Sequence, residues 1–197
     1  LGLPPGSELD GRIRRRGSNL TVPRALPVAT PLHDGDRLDD LLHVIHTPGH
    51  EGNQICLRVD EVLLSADHLL PLNSPPLMPA RFLRGSGVAA YLDSLDRVER
   101  LEGVTLALGG HDGPMRDPHA RIQALRARTH EKLDGLLAAC THPMTIHDLL
   151  LALHPRLRSI QAVLLLDQTA ALTEYLTQTG ALSETAREDG AGLFTRA

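Results

Sequence analysis

Three aliphatic runs in the first 111 residues each stop at a side chain that can bind a metal. No other feature limits the available folds as much. The run LLHVIH gives way to Thr47, Pro48 and Gly49 and then presents His50; VLLSA is followed by Asp67, and VTLALGG by His111. Pro48 restricts the residue before it to extended backbone, and a Pro-Gly pair makes a tight turn, so His50 is expected to stand rigidly at the end of a strand. Strand ends on one edge of a sheet converge in space. The pattern therefore predicts two imidazoles and a carboxylate at one sheet edge, a donor set that suits zinc first, with iron or manganese as alternatives if more oxygen ligands join. A single His behind a single strand is more often a polar side chain in water than a ligand; the recurrence at three strand ends makes these residues candidates.

Periodicity around these runs outlines an α/β chain. Residues 37 to 47 read as one buried strand, and 55 to 59 with 62 to 65 as a hairpin hinged at Asp60 and Glu61. Tyr91, Leu92, Leu95, Val98 and Leu101 recur at helical spacing, and a strand is expected at 104 to 108. Asp117 is placed to cap a helix opening on Pro118, with Ile122, Leu125, Leu133, Leu136 and Leu137 as its stripe, bridging to a second unit. There Thr145 and Asp148 suggest a capping box, Leu149, Leu150 and Leu153 form a face, and two further helical runs lead to a cap at Gly180. Asp189 and Gly190 then divide a small hairpin. Three helices and a β-ribbon are the outline of a winged helix, and the expected domains are residues 1–139 and 140–197. Residues 1 to 27, rich in Gly, Pro and Arg, read as irregular, with order beginning near Val28.

Composition removes several function classes. Aromatic residues are 2% of the chain and Trp is absent, so the core rests on aliphatic side chains and a stacking surface for single-stranded nucleic acid is not expected. A net charge of -4 argues against binding polyanions as a whole; Arg12, Arg14, Arg15 and Arg16 form one basic cluster, read as solvated. Cys56 and Cys140 are far apart, without metal or redox spacing, which predicts buried bystanders in a reducing, cytoplasmic setting. No stretch reaches the ~18 apolar residues of a membrane span, and the opening LGLPPGSELDG lacks a signal-peptide core.

The stretches HTPGHEGN, LLSADHLLP and LGGHDGPMRDP, in that order, followed by RIQALRARTHEKL and the helical tail, resemble the metallo-β-lactamase fold hydrolases, in the glyoxalase II-like or RNase-like branch that carries a C-terminal winged helix. The resemblance covers about residues 28 to 197. It implies part of an αββα sandwich followed by a small, mainly α domain. It also implies two divalent metal ions, with His50 completing one site, Asp67 bridging both and His111 completing the other. In such enzymes a hydroxide between cations ~3.5–4 Å apart attacks an ester, thioester or phosphodiester, so Asp67 would be catalytic through its bridge. A Cys in place of Asp67 would mark the lactam-degrading subgroup, which is therefore disfavoured. Ala66 stands where this family usually has Gly, and Asp112 where it often does; Ala is close to Gly in size, so Asp67 is expected to keep its place, and Asp112 is read as solvated rather than as a partner of the site. His68 and His130 also recur and are expected to satisfy local hydrogen bonds, outside the ligand set.

The family's principal motif, HxHxDH, occurs nowhere in the 197 residues. The first strands of the sandwich would be absent with it, leaving a half that exposes an apolar face. Three explanations are open: a fragment of a longer enzyme, a chain that assembles with a separate N-terminal segment, or a relative without catalysis; the lack of an initiator Met favours the first. The expected partners are a small-molecule or RNA substrate, and either a complementing N-terminal segment or a second copy in a homodimer. The rival function is nucleic-acid binding by the winged helix. Its reading segment, DQTAALTEYLTQT at 167 to 179, has no Lys or Arg, so an architectural role is preferred. Residues 71 to 87 are expected to wall the site, with Arg81 and Arg84 placed to steer an anionic substrate.

Overall fold

The computed structural model of the chain describes residues 1–18, 27–157 and 159–197. They form two compact units, one of Leu32–Lys132 and one of Leu1–Pro31 with Leu133–Ala197. The first contains a five-stranded sheet in the order β1 (Arg37–Leu38), β2 (Leu42–His46), β3 (Ile55–Val59), β4 (Val62–Ala66), β5 (Leu106–Gly109). Neighbours are antiparallel except β4 and β5, which run parallel across a connection containing α2 (Val88–Glu99). Parallel neighbours need such a crossover, and it brings the C-terminal ends of β4 and β5 to the same edge.

The single strand expected over 37 to 47 is two. Asp39 and Asp40 adopt φ of 52° and 54°, turning the chain back so that Arg37 pairs with His43. Asp tolerates this left-handed backbone better than most residues, and that turn signal was hidden among the leucines. The hairpin at Asp60 and Glu61 forms as expected, with Asp60 at φ 49° and Val59 paired to Val62.

Strand pairing sorts the side chains between two faces. Ile45, Cys56, Leu63, Ser65 and Ala107 lie on one and are all buried. Tyr91, Leu95 and Val98 of α2 and Ile122 and Leu125 of α3 (Pro118–Ala139) belong to the same unit's core. A fully buried aliphatic side chain such as Leu63 or Leu125 contributes roughly 1.5–3 kcal/mol. On the other face Val44, Leu57, Leu64 and Leu108 make one row, and Val59, Val62 and Leu106 a second. Apart from Val44 these residues are partly exposed, Leu108 to 38%.

The other unit begins with a helix where irregular chain is expected: α1 spans Glu8–Ser18. Asp10 donates its backbone N–H to the Ser7 hydroxyl (3.2 Å), while its carboxylate accepts from Gly6 N–H (3.0 Å). Arg12 pairs with Glu8 and Arg14 with Asp10, one turn apart. The helix rests on a cap and i,i+4 pairs, which a search for an apolar stripe overlooks. The side chains of Arg15 and Arg16 lie outside the described residues. Asp117 caps α3 by accepting from Ala120 N–H at 2.9 Å. α4 (Ile146–Leu153) has the full Thr145–Asp148 capping box. α5 (Ser159–Gln178) is one helix where two runs are expected. The hydroxyls of Thr169, Thr173 and Thr177 donate to carbonyls four residues back, which lets these residues sit inside the helix. Gly180, at φ 77°, ends it, with Ala181 N–H donating to the Leu176 carbonyl, and β6 (Leu182–Ala186) and β7 (Gly192–Arg196) pair as a ribbon. No helix among the described residues is long and apolar enough to cross a membrane.

Candidate metal centre

β2 runs into a turn that is fastened to α2 at several points. The Pro48 carbonyl accepts from the Ser94 hydroxyl at 2.7 Å, and the Gly49 carbonyl from Gly87 N–H at 2.9 Å. Gly49 has φ 137°, and a Cβ there would stand 2.5 Å from Tyr91 Cα, so only Gly fits. His50 leaves this turn with its ring held: Nδ1 lies 2.6 Å from the Pro76 carbonyl. A carbonyl can only accept, so Nδ1 carries the proton, and in the neutral ring Nε2 carries the lone pair. That Nε2 faces Asp67 Oδ2 at 3.8 Å. The Pro76 carbonyl lies 26 residues from His50 and had no sequence signal beyond the expectation that 71 to 87 wall the site.

Asp67 follows the end of β4. The buried Ser65 hydroxyl donates to the Leu69 carbonyl (3.0 Å), with the Leu108 carbonyl at 3.2 Å, tying the turn after Asp67 to β5. Gly110 N–H donates to the Ala66 carbonyl at 2.8 Å, and a side chain at Gly110 would collide with Asp67 Oδ1. The second Gly of LGGH therefore makes room for the carboxylate. Beyond it, His111 Nε2 faces Asp67 Oδ1 at 3.7 Å. The three residues expected at one sheet edge thus meet around one carboxylate, each oxygen facing a different imidazole.

Two departures from the family pattern acquire a physical meaning. Ala66 was expected to leave Asp67 in place because Ala is nearly as small as Gly, but the relevant quantity is its φ of 45°. The carboxylate still reaches both histidines, while the left-handed backbone costs a non-Gly residue about 1–2 kcal/mol. Asp112 has φ 64° and is exposed. Both substitutions fall where the backbone favours Gly.

Both Nε2–Oδ separations exceed hydrogen-bond length, yet each is less than twice a ligand–zinc distance of about 2.0–2.2 Å. A neutral His50 turns a lone pair toward a carboxylate, an arrangement that a cation between them, or a proton on Nε2, would stabilise. Among the described residues no group of three or more His, Cys, Asp or Glu side chains closes around a single ion. Each pairing of an imidazole with Asp67 offers two donors, fewer than the four ligands that zinc normally takes. Exposure is uneven: the His50 side chain is 20% exposed, Asp67 34% and His111 70%.

His68 corrects an expectation. It is fully buried, and neither ring nitrogen makes a hydrogen bond of good geometry among the described residues. Burial lowers its pKa to about 4, partly offset by the Ser94 backbone, so the ring is neutral near pH 7. It packs edge-on against Tyr91, with centroids 5.5 Å apart. His130 is exposed on α3, and Arg81 and Arg84 are exposed in the loop after β4. An unforeseen residue, Arg121 of α3, donates to the Leu70 carbonyl at 2.7 Å and the Asn73 carbonyl at 2.8 Å, anchoring that loop. Cys56 is buried, its thiol pushed up to about 12 by desolvation, which makes it inert.

The metallo-beta-lactamase superfamily profile matches residues 3–111, beginning earlier than the motifs suggest and ending on His111. A metallo-beta-lactamase family protein from Thermus thermophilus is 30% identical, with a TM-score of 0.72 over 87% of this chain and 55% of its own. A beta-lactamase domain protein from Burkholderia ambifaria is 28% identical, with a TM-score of 0.83 over 96% of this chain and 57% of its own. The chain thus spans somewhat more than half the length of these relatives. No curated protein matches it. With its strand-end residues gathered at one sheet edge and more than half its length matched by the profile, the chain belongs to the metallo-beta-lactamase superfamily.

Proposed function

We propose that this chain is the C-terminal part of a metal-dependent hydrolase acting on an ester, thioester or phosphodiester, in a small molecule or an RNA. The observation that carries this reading is the paired geometry at Asp67, one oxygen toward His50 Nε2 at 3.8 Å and the other toward His111 Nε2 at 3.7 Å. A carboxylate facing two donors on opposite oxygens suits a bridge between two ions, with zinc first and iron or manganese as alternatives. When bound, such ions would acidify a water and stabilise charge on the substrate oxygen. The chain's own residues have distinct parts. The Pro76 carbonyl keeps the His50 Nδ1 proton in place and so aims Nε2 at the site; the absent side chain of Gly110 leaves Asp67 free to reach both imidazoles; Arg81 and Arg84 would attract an anionic substrate.

The remaining ligands would come from residues outside these 197, in a segment covering the aliphatic sheet face that includes Leu57, Leu64 and Leu108. A second copy in a homodimer is the alternative cover. α4, α5 and the β6–β7 ribbon, read as a winged helix, would be architectural, because residues 167 to 179 contain no Lys or Arg. Salt-sensitive binding of a nucleic acid to the chain would reverse that assignment. The direct test is elemental mass spectrometry after incubation with Zn²⁺, Fe²⁺ or Mn²⁺ and desalting. Retained metal should fall in His50→Ala, Asp67→Asn and His111→Ala; equal retention in all three variants would remove these residues from the ligand set.

A further inference from the structure

The separation between His50 and Asp67 is not held by a bond between them, since 3.8 Å is too long for a hydrogen bond. It must be set by what their backbones rest on. His50 follows Gly49, and Gly49 is pressed against Tyr91: a Cβ at position 49 would lie 2.5 Å from Tyr91 Cα and 2.7 Å from Tyr91 Cβ. Asp67 precedes His68, whose ring packs edge-on against the Tyr91 ring at 5.5 Å. The Tyr91 hydroxyl also points to the His68 carbonyl at 3.4 Å. One residue of α2 therefore touches the residue before one candidate ligand and the residue after the other. Both rings are sealed from solvent, Tyr91 at 1% and His68 at 0% exposure. Three residues further along α2, Ser94 fixes the Pro48 carbonyl, so one face of this helix holds the whole turn.

We propose that Tyr91, with His68 packed on it, is the positioning residue that sets the separation between His50 and Asp67. It touches neither metal nor substrate and acts through the two backbones it spaces. Its purpose rests on the metal reading above, but its geometry does not. Binding constellations must be held within about 0.5 Å to work, and packed rings deform less than a long hydrogen bond. Neither ring nitrogen of His68 makes a hydrogen bond of good geometry among the described residues, so its part is that of a flat ring in van der Waals contact. Phe should replace it.

The test uses the full chain with Tyr91→Leu, His68→Ala and His68→Phe. The control is Leu95→Ala, one turn along α2, fully buried like the Tyr91–His68 pair. Without metal, two-bond proton–nitrogen spectra of the histidine rings should show His50 as the Nδ1–H tautomer in the wild type, His68→Phe and Leu95→Ala. Tyr91→Leu and His68→Ala should show a mixture. With Zn²⁺ as the probe, calorimetric affinity should fall roughly 10–100-fold in Tyr91→Leu and His68→Ala relative to Leu95→Ala, although all three lower the thermal midpoint. An unchanged His50 tautomer and Leu95→Ala-like affinity in Tyr91→Leu, or in His68→Ala should Tyr91→Leu not fold, would reduce Tyr91 to ordinary core. Loss of affinity in a folded His68→Phe would make His68 a ligand and overturn the proposal. A wild type that binds no Zn²⁺, yet loses its defined tautomer in the two ring variants, would defeat the metal reading and leave the positioning role standing.

Discussion

The two imidazoles that face Asp67 are held in different ways. His50 follows a turn fastened by Ser94, Gly87 and Tyr91, and its ring donates to the Pro76 carbonyl. His111 follows a backbone tied to Ala66, but its ring is 70% exposed and no hydrogen bond among the described residues fixes its Nδ1. One imidazole is positioned and oriented; the other is only positioned. The backbone can bring a donor to a site, while aiming its lone pair takes a second contact on the far side of the ring.

The largest effect should separate the two turns. Gly49→Ala places a Cβ against the Tyr91 backbone at φ 137° and should lower unfolding stability by about 3 kcal/mol in urea titrations. Gly113→Ala, in the loop after His111, meets nothing within 4 Å and should change stability by less than about 0.5 kcal/mol. Equal losses would erase the contrast between the arms. Gly110→Ala should come next, at about 2 kcal/mol, and should lower metal retention because the new methyl displaces the Asp67 carboxylate. Retention at the wild-type level would mean that the carboxylate has another resting place.

Removing the rings compares the arms more gently. In metal-free protein His50→Ala should cost about 1 kcal/mol through its bond to Pro76, and His111→Ala less than about 0.5 kcal/mol, both read from denaturant midpoints. A reversed order would show that His111 carries an anchor of its own. Finer still, Ala66→Gly should raise stability by about 1 kcal/mol by relieving a left-handed Ala. Asp112→Gly, at a residue type that tolerates φ 64°, should change it by a few tenths, and thermal midpoints would resolve the two.

Much of the placement of the candidate residues was legible. His50, Asp67 and His111 stand where the strand-end pattern puts them, because strand length and turn chemistry are local and strands of one sheet share an edge. The capping box at Thr145 and the ribbon around Asp189 and Gly190 were readable for the same reason. The misreadings are also local and share a cause. Asp39 and Asp40 sit inside an aliphatic run, the Ser7–Asp10 cap lies beside Gly-rich chain, and threonines interrupt the apolar period of α5. In each case apolar period outweighed backbone and capping chemistry.

The sequence by itself determined which candidate donors exist, that they end strands, and that the pattern resembles the metallo-beta-lactamase superfamily, because these depend on neighbours within a few residues. Only the tertiary structure decided how the donors face one another. The Pro76 carbonyl behind His50, the space that Gly110 leaves for Asp67, the left-handed φ at Ala66 and Asp112, and the seat of Tyr91 between Gly49 and His68 join segments that come together when the strands pack. A contact across that distance leaves no periodicity in the chain; it exists only after the core has closed.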